Sequence, residues 1–330
     1  DKNDVKENEF FIQGRSPFML PNRLSSILNV CGPCEAIDTA CSSSLVAIHK
    51  AVESIHIGSS EIAIAGGVNI ILTPSIHMAF SDAGMLSKSG ECRVFDKDAD
   101  GTVRSEGVGA VILKRLSDAK RDGDHIYGLI KATSQNHKGK SGSLMAPKAN
   151  AEAELIKDVF HKAGVLPSTV NYIEAHSTGS KLTDPVEIAG LKKAFKELNE
   201  ENETSSEGHI CAISSLKANV GHLEAASGIG ALIKVLLSLQ YKQILGIANY
   251  KELNPYIDLN DSPFYINVKN STWERVSEDI PRRAGISAFG FGGVNAHVMI
   301  EEYMEEEKQS TVTITKDTPA IILLSGKNKD

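Results

Sequence analysis

One cysteine, Cys41, stands in Asp38-Thr-Ala-Cys-Ser-Ser-Ser-Leu45, between a short mixed run and an amphipathic stripe. That arrangement sets a thiol on a strand-to-helix turn, where the unpaired N–H groups of a first helical turn favour a thiolate. The hydroxyls of Ser42, Ser43 and Ser44 suit such a start because they can satisfy those donors. Spacing alone fits a buried, inert cysteine equally well. Two histidines fall in comparable places. His176 follows Tyr172-Ile-Glu-Ala, and His222 lies in Leu216-Lys-Ala-Asn-Val-Gly-His-Leu-Glu224, each between a strand-like and a helix-like stretch. A thiol and two imidazoles, each at a strand tip, suit carbon–carbon bond formation on thioesters. The sulfur takes an acyl group, and the imidazoles stabilise charge on the oxygen of a second thioester as its carboxylate leaves.

Three such groups need a frame to bring them together. Leu45, Ile48, Val52 and Ile55 recur every three or four residues, which predicts a helix directly after Cys41. Residues 35–40 read as a short strand ending at Cys41, and 61–71 as a buried strand broken by Gly66-Gly67. Strands are also expected over 107–116, 126–134, 170–175, 210–215, 283–292 and 296–301. Helices are expected over 15–30, 151–163, 185–198 and 225–239, the second of them ended by Gly164 and Pro167. Residues 199–208 read as a polar loop, and the Glu- and Lys-rich run after Glu301 as a solvated linker. Strand–helix alternation of this kind predicts an α/β architecture with helices laid on sheet faces.

Composition narrows the function. The chain has 330 residues, 41% hydrophobic and 23% charged, which fits a folded globular protein rather than a disordered one. A net charge of −7 without a clustered basic stripe argues against a nucleic-acid surface. The most apolar stretch, 62–72, is about half the ~20 residues a spanning helix needs, so no membrane role is expected. The N-terminal stretch has no signal-peptide pattern, and a cytoplasmic location is expected. The missing initiator Met, and the strand-like Ala320-Ile-Ile-Leu-Leu near the end, predict a piece of a longer chain. Five cysteines (31, 34, 41, 92 and 211) make no disulfide framework. Cys31-Gly-Pro-Cys34 has thioredoxin-like spacing but no helix begins there, so a buried structural pair is expected. Asp96, Asp98, Asp100 and Gly101 imitate the opening of a calcium loop, yet its twelfth position is Gly107 rather than Glu. No metal-ligand cluster is seen in the sequence, and the sequons at Asn202 and Asn270 have no secretory context.

Five segments together resemble the β-ketoacyl synthase family, and within it the ketosynthase domains of modular polyketide synthases. They are Asp38-Thr-Ala-Cys-Ser-Ser-Ser-Leu45, Phe95-Asp-Lys-Asp-Ala-Asp-Gly101, Glu174-Ala-His-Ser-Thr-Gly-Ser180, Leu216-Lys-Ala-Asn-Val-Gly-His-Leu-Glu224 and Arg282-Arg-Ala-Gly-Ile-Ser-Ala-Phe-Gly-Phe-Gly-Gly-Val-Asn-Ala-His297. Asn136-His-Lys-Gly-Lys-Ser141 and Ala146-Pro-Lys-Ala-Asn-Ala-Glu-Ala-Glu-Leu155 look most like the branch whose modules rely on a separate acyltransferase. The resemblance implies a thiolase-like, layered α-β-α-β-α fold, N-terminally incomplete, with a partial ketosynthase over 1–303. Residues 304–330 would be an acidic linker and the start of a post-ketosynthase linker domain.

By the same resemblance Cys41 takes the acyl chain from an acyl carrier protein. His176 and His222 promote loss of CO2 from a malonyl unit on a second carrier. Lys217 stands near His176 and pairs with Glu187, although a plain structural ion pair fits the sequence as well. The N–H groups of Cys41 and Phe291 form an oxyanion hole, with Phe291 as gate, while Thr178 and Ser180 bind the phosphopantetheine arm. No cofactor or metal is bound to the chain itself. Implied partners are acyl carrier domains, a second copy in a homodimer, other polyketide synthase domains and a separate acyltransferase. Four positions depart from the pattern: Ser177, Thr183 and Ser105 stand where Gly is usual, and Ser180 where Thr is usual. Side chains at 177 and 183 would displace His176 if those positions needed a left-handed backbone. A transacylating variant that loads Cys41 without releasing CO2 is the alternative reading. A scaffold without catalysis and a Cys-His hydrolase are weaker ones, the hydrolase because it leaves the second histidine without a task.

Overall fold

The structure is a computed structural model that describes residues 13–14, 16–204, 208 and 210–305. Its elements in chain order begin with α1 (Met19–Leu28), α2 (Ser43–His56), β1 (Ile62–Asn69), α3 (Ser75–Asp82), β2 (Gly107–Lys114) and α4 (Leu116–Asp122). There follow β3 (Leu129–His137), α5 (Ala149–Ala163), β4 (Tyr172–Glu174), α6 (Asp184–Glu201), β5 (Cys211–Ser214) and α7 (Lys217–Val220). The last are α8 (Ser227–Tyr241), β6 (Gln243–Ile244), β7 (Phe264–Ile266), β8 (Ser271–Thr272), β9 (Arg283–Phe289) and β10 (Val294–Glu301).

Six strands form the central sheet in the order β3-β10-β9-β4-β5-β7. β10 runs antiparallel to both neighbours, while β9, β4, β5 and β7 are mutually parallel. Side-chain alternation splits the core in two. Ala284, Ile286 and Ala288 of β9, with Ala296, Val298 and Ile300 of β10, pack with Leu45 and Ile48 of α2 and Leu232 and Val235 of α8. On the opposite face Ile173 and Met299 join Ile156 and Phe160 of α5 and Leu191 and Phe195 of α6. β1 and β2 pair antiparallel over eight residues each and lie outside α2 and α8. The close approach explains Gly67, where a Cβ would sit 2.8 Å from the Ser44 Cβ. Among the described residues the layers therefore run helices, sheet, helices, short strand pair.

Most expected elements form, with shifts of a few residues at their ends. Gly164 ends α5 at φ 61°, the left-handed cap expected of it. Four expectations are corrected. Residues 35–40 form no strand, because nothing among the described residues offers their backbone a ladder partner. The 61–71 strand is not buried on both faces: Ile62 and Ile64 of β1, with Val108 and Ile112 of β2, are exposed on the side away from α8. Cys31 is exposed and Cys34 half-buried, so they are no buried pair; the Cys34 thiol instead donates to Asn22 and accepts from the Ser25 hydroxyl. The 199–208 segment begins as helix, since α6 continues to Glu201, and residues 205–207 lie outside the described residues. The linker expected after Glu301 also lies outside them from 306 onward.

Candidate active site

Cys41 occupies a 3-10 turn, Ala40–Ser42, that runs straight into α2. The turn is tight: Ala40 has φ 58°, a left-handed conformation that costs an L-residue about 1 kcal/mol or more. Serine hydroxyls hold it. Ser43 Oγ donates to the Ala40 carbonyl at 2.6 Å and accepts the Thr39 N–H at 2.9 Å, and Ser42 Oγ donates to the Thr39 carbonyl at 2.9 Å. The β9–β10 turn presses on the same place, for a Cβ on Gly290 would lie 2.4 Å from the Thr39 carbonyl oxygen. Through that contact the N–H of Phe291 reaches the Cys41 sulfur, and the N–H of Cys41 itself points the same way.

His222 is carried by the loop between α7 and α8. Its Nε2 lies 3.2 Å from Cys41 Sγ. Its Nδ1 accepts the Glu224 N–H at 3.0 Å and lies 2.8 Å from the Ser227 hydroxyl. A backbone N–H can only donate, so the neutral ring carries its proton on Nε2 and offers it toward the sulfur. His176 sits at the tip of β4, its ring centroid 5.9 Å from that of His222 and 5.6 Å from that of Phe289. Its Nδ1 is buried without a partner among the described residues. The structure thus brings one thiol and two imidazoles together from three distant parts of the chain.

The His176 loop is gripped through its backbone. Glu187, near the start of α6, accepts the His176 N–H at 2.8 Å, the Ser177 N–H at 2.7 Å and the Ser177 hydroxyl at 2.6 Å. Lys217 Nζ donates to the His176 carbonyl. Lys217 and Glu187 therefore hold opposite ends of the His176 peptide rather than pairing with each other as expected; no ion pair between them is formed. Ser177 is not in the left-handed region and Thr183 has φ −89°, so neither position needs glycine. The amides of Thr178 and Ser180 donate to Asp184 Oδ1 at 3.0 and 3.3 Å, which builds the turn beside His176. The Ser180 hydroxyl accepts the Thr183 N–H at 3.3 Å.

Burial sets the protonation states. It pushes the Cys41 thiol up, with the Lys217 charge and the Phe291 N–H pulling against it, so the helix start does not by itself leave a free thiolate. Burial, with the Lys217 charge beside them, holds both His176 and His222 well below the usual imidazole range. Lys217 is itself lowered by burial, with Glu187 opposing. The site at rest is a thiol facing two neutral rings.

Sequence reasoning passed over a buried network behind the site. Glu174, on β4, forms an ion pair with Lys234 of α8 at 2.7 Å, accepts from the Tyr172 hydroxyl at 2.6 Å and takes the Leu216 N–H at 2.6 Å. It ties the strand bearing His176 to the turn bearing Lys217. The signal was Lys234 itself, a charge inside the apolar run Ala231-Leu-Ile-Lys-Val-Leu-Leu. The aspartates of the 96–101 loop are taken up by the protein: Asp96 accepts the N–H groups of Asp98, Lys251 and Glu252, and Asp100 those of Lys88 and Ser89. No described helix is long and apolar enough to cross a membrane.

Comparison with known proteins gives the family. Residues 1–119 match the N-terminal domain of β-ketoacyl synthases, 127–251 their C-terminal domain, and 254–330 the ketoacyl-synthetase C-terminal extension. Polyketide synthase PksN of Bacillus subtilis (strain 168) is 51% identical over 323 residues, covering 96% of this chain and 6% of PksN. Polyketide synthase PksM of the same organism is 45% identical over 98% of this chain and 8% of PksM. Among solved structures, the ketosynthase from module 6 of the bacillaene synthase of Bacillus subtilis 168 superposes with a TM-score of 0.84 at 39% identity, over 91% of this chain and 53% of that one. The oxazolomycin ketosynthase domain OzmH KS7 of Streptomyces albus JA3453 gives 0.82 at 40% identity, over 88% and 50%. The chain thus spans a small fraction of these curated relatives and about half of the solved ketosynthases. With its thiolase-like fold, the chain belongs to the β-ketoacyl synthase family, among the ketosynthases of modular polyketide synthases.

Proposed function

We propose that this ketosynthase extends a polyketide chain by decarboxylative Claisen condensation. The Cys41 sulfur attacks an acyl thioester on a carrier protein, its thiol proton passes to the departing phosphopantetheine sulfur, and that thiol leaves. A malonyl thioester then enters. Its carbon–carboxylate bond breaks, CO2 departs, and the bonding electrons pass to an enolate whose oxygen is held by His176 and His222. The enolate carbon attacks the Cys41 thioester, whose oxyanion meets the N–H groups of Cys41 and Phe291. Collapse expels the thiolate and leaves a 3-oxoacyl chain, longer by one two-carbon unit, on the carrier protein.

The observation that carries this reading is the His222 tautomer. With the Glu224 N–H on Nδ1, the ring faces the sulfur with a donor, 3.2 Å away. A donor there suits charge that develops on the oxygen of a second thioester, and with His176 beside it two rings are available to that oxygen. In this reading Thr178 and Ser180 line the path of the pantetheine arm, and Lys217 and Glu187 order His176. Carrier domains, a second copy of the chain, neighbouring synthase domains and a separate acyltransferase are its partners, in the cytoplasm. The chain needs no cofactor of its own. Residues 1–303 form the condensing body and 304–330 lead into a linker.

Incubation of the full natural chain with an acyl-carrier thioester, followed by peptide mass spectrometry, is expected to place the acyl group on Cys41. Cys41→Ala is expected to abolish it. Acylation elsewhere, or release of free acid in place of a stable thioester, would overturn the reading. Loading without CO2 release from malonyl carrier protein would select the transacylating alternative.

A further inference from the structure

The segment before β2 clamps His222 in a way the condensation scheme does not use. His222 N–H donates to the Val103 carbonyl at 2.7 Å, and the Ser105 N–H donates to the His222 carbonyl at 2.9 Å. Between those bonds Arg104 sends its side chain back over the same loop, where Nε pairs with the Glu224 carboxylate. The guanidinium carbon stands 5.2 Å from the Phe80 ring centroid. Its side chain is 4% exposed, and Nη1 is buried without a partner among the described residues. A buried charge with an unmet N–H is a poor stabiliser of the fold. Its geometry makes sense as a local brace.

Glu224 is where the brace acts. Its φ of 48° is left-handed, which a residue with a Cβ adopts at a cost. In the turn that this residue opens, its N–H meets His222 Nδ1, at 3.0 Å. The other group on Nδ1, the Ser227 hydroxyl, can donate or accept and so fixes no tautomer alone. The decision rests on Glu224, and the tether on Glu224 is Arg104. The Glu224 carboxylate also adds to the burial that holds the Cys41 thiol up.

We infer that Arg104 and Glu224 are positioning residues whose ion pair locks the strained Glu224 turn and thereby keeps the His222 proton on Nε2. The inference deepens the condensing reading, and its test separates the two. In the full natural chain labelled with 15N-histidine, His222 resonances are assigned by subtraction of a His222→Gln spectrum. The wild type is expected to show the Nε2-protonated ring alone. Arg104→Met, which keeps apolar bulk and leaves Glu224 room to reach water, is expected to show both tautomers. The same variant is expected to lose about tenfold in kcat for CO2 release from malonyl carrier protein, a fraction of the 10²–10³ that removing a donor outright costs. KM and Cys41 loading are expected to stay within about threefold. Glu224→Gly added to Arg104→Met is expected to restore the single tautomer and most of the rate, because glycine adopts φ near 48° without the steric cost that the ion pair otherwise offsets. An unchanged tautomer in Arg104→Met, or no rescue by Glu224→Gly, would overturn the inference. A wild type with the single tautomer that loads Cys41 yet releases no CO2 would instead overturn the condensing reading and leave the positioning role standing.

Discussion

Replacing His176 with alanine is expected to lower CO2 release from malonyl carrier protein by roughly 10²–10³, while Cys41 still accepts an acyl chain. The separation follows from how the ring is held. Glu187 and Lys217 grip the His176 backbone, so the loop keeps its shape when the ring is lost. His222, not His176, makes the hydrogen-bond contact to the Cys41 sulfur. What disappears is one of two neutral donors to the enolate oxygen. Glu187→Ala offers the contrast. It strands the His176 and Ser177 N–H groups and the Ser177 hydroxyl, at about 1–3 kcal/mol for each buried group left unmet. That variant is expected to lose thermal stability and both partial reactions together. Melting temperatures and the two assays on the pair check this; equal loss of loading and CO2 release in His176→Ala would contradict it.

Glu152 supplies the second large effect, on stability. It lies on α5, 2% exposed, with Oε2 lacking a partner among the described residues. Burial, then the neighbouring Glu187 charge, pushes its carboxyl up to about 8 from 4.5, against the pull of the Lys148 N–H and Lys138. The folded state thus holds a proton that the unfolded chain has released. Stability is full below pH 4.5 and is lost as pH rises through about 8, at about 1.4 kcal/mol per unit. Glutamine keeps the oxygen for the Lys148 N–H and does not titrate. Glu152→Gln is expected to be more stable by about 4 kcal/mol near pH 7.5, with the gain falling below about 1 kcal/mol near pH 5. Denaturant unfolding at the two pH values measures it, and a gain that does not change with pH would contradict it.

The reach of the sequence differed from element to element for physical reasons. α2, α5 and α8 were legible because each buries one stripe, and periodicity reports that directly. His176 was legible as a strand-tip residue; Cys41 and His222 were expected in the same setting, but among the described residues no strand precedes Cys41, and α7 lies between β5 and His222. The segment 35–40 looked like a strand on propensity, but a strand exists only where a neighbour completes its ladder. Lys217 and Glu187 have opposite charges and were read as a pair; a peptide between them takes both. Arg104 could not have been read at all, since it acts through Glu224, 120 positions away, and through a backbone angle that no residue type announces.

The central claim is that one sulfur and two proton-donating rings make a carbon–carbon bond. Its most direct measurement loads Cys41 with an acyl group in the full natural chain and adds carrier protein bearing malonate labelled with 13C at the free carboxylate. Labelled CO2 and an unlabelled 3-oxoacyl chain on the carrier are expected, in equal amounts. Labelled malonate left intact beside a stably acylated Cys41 would contradict it.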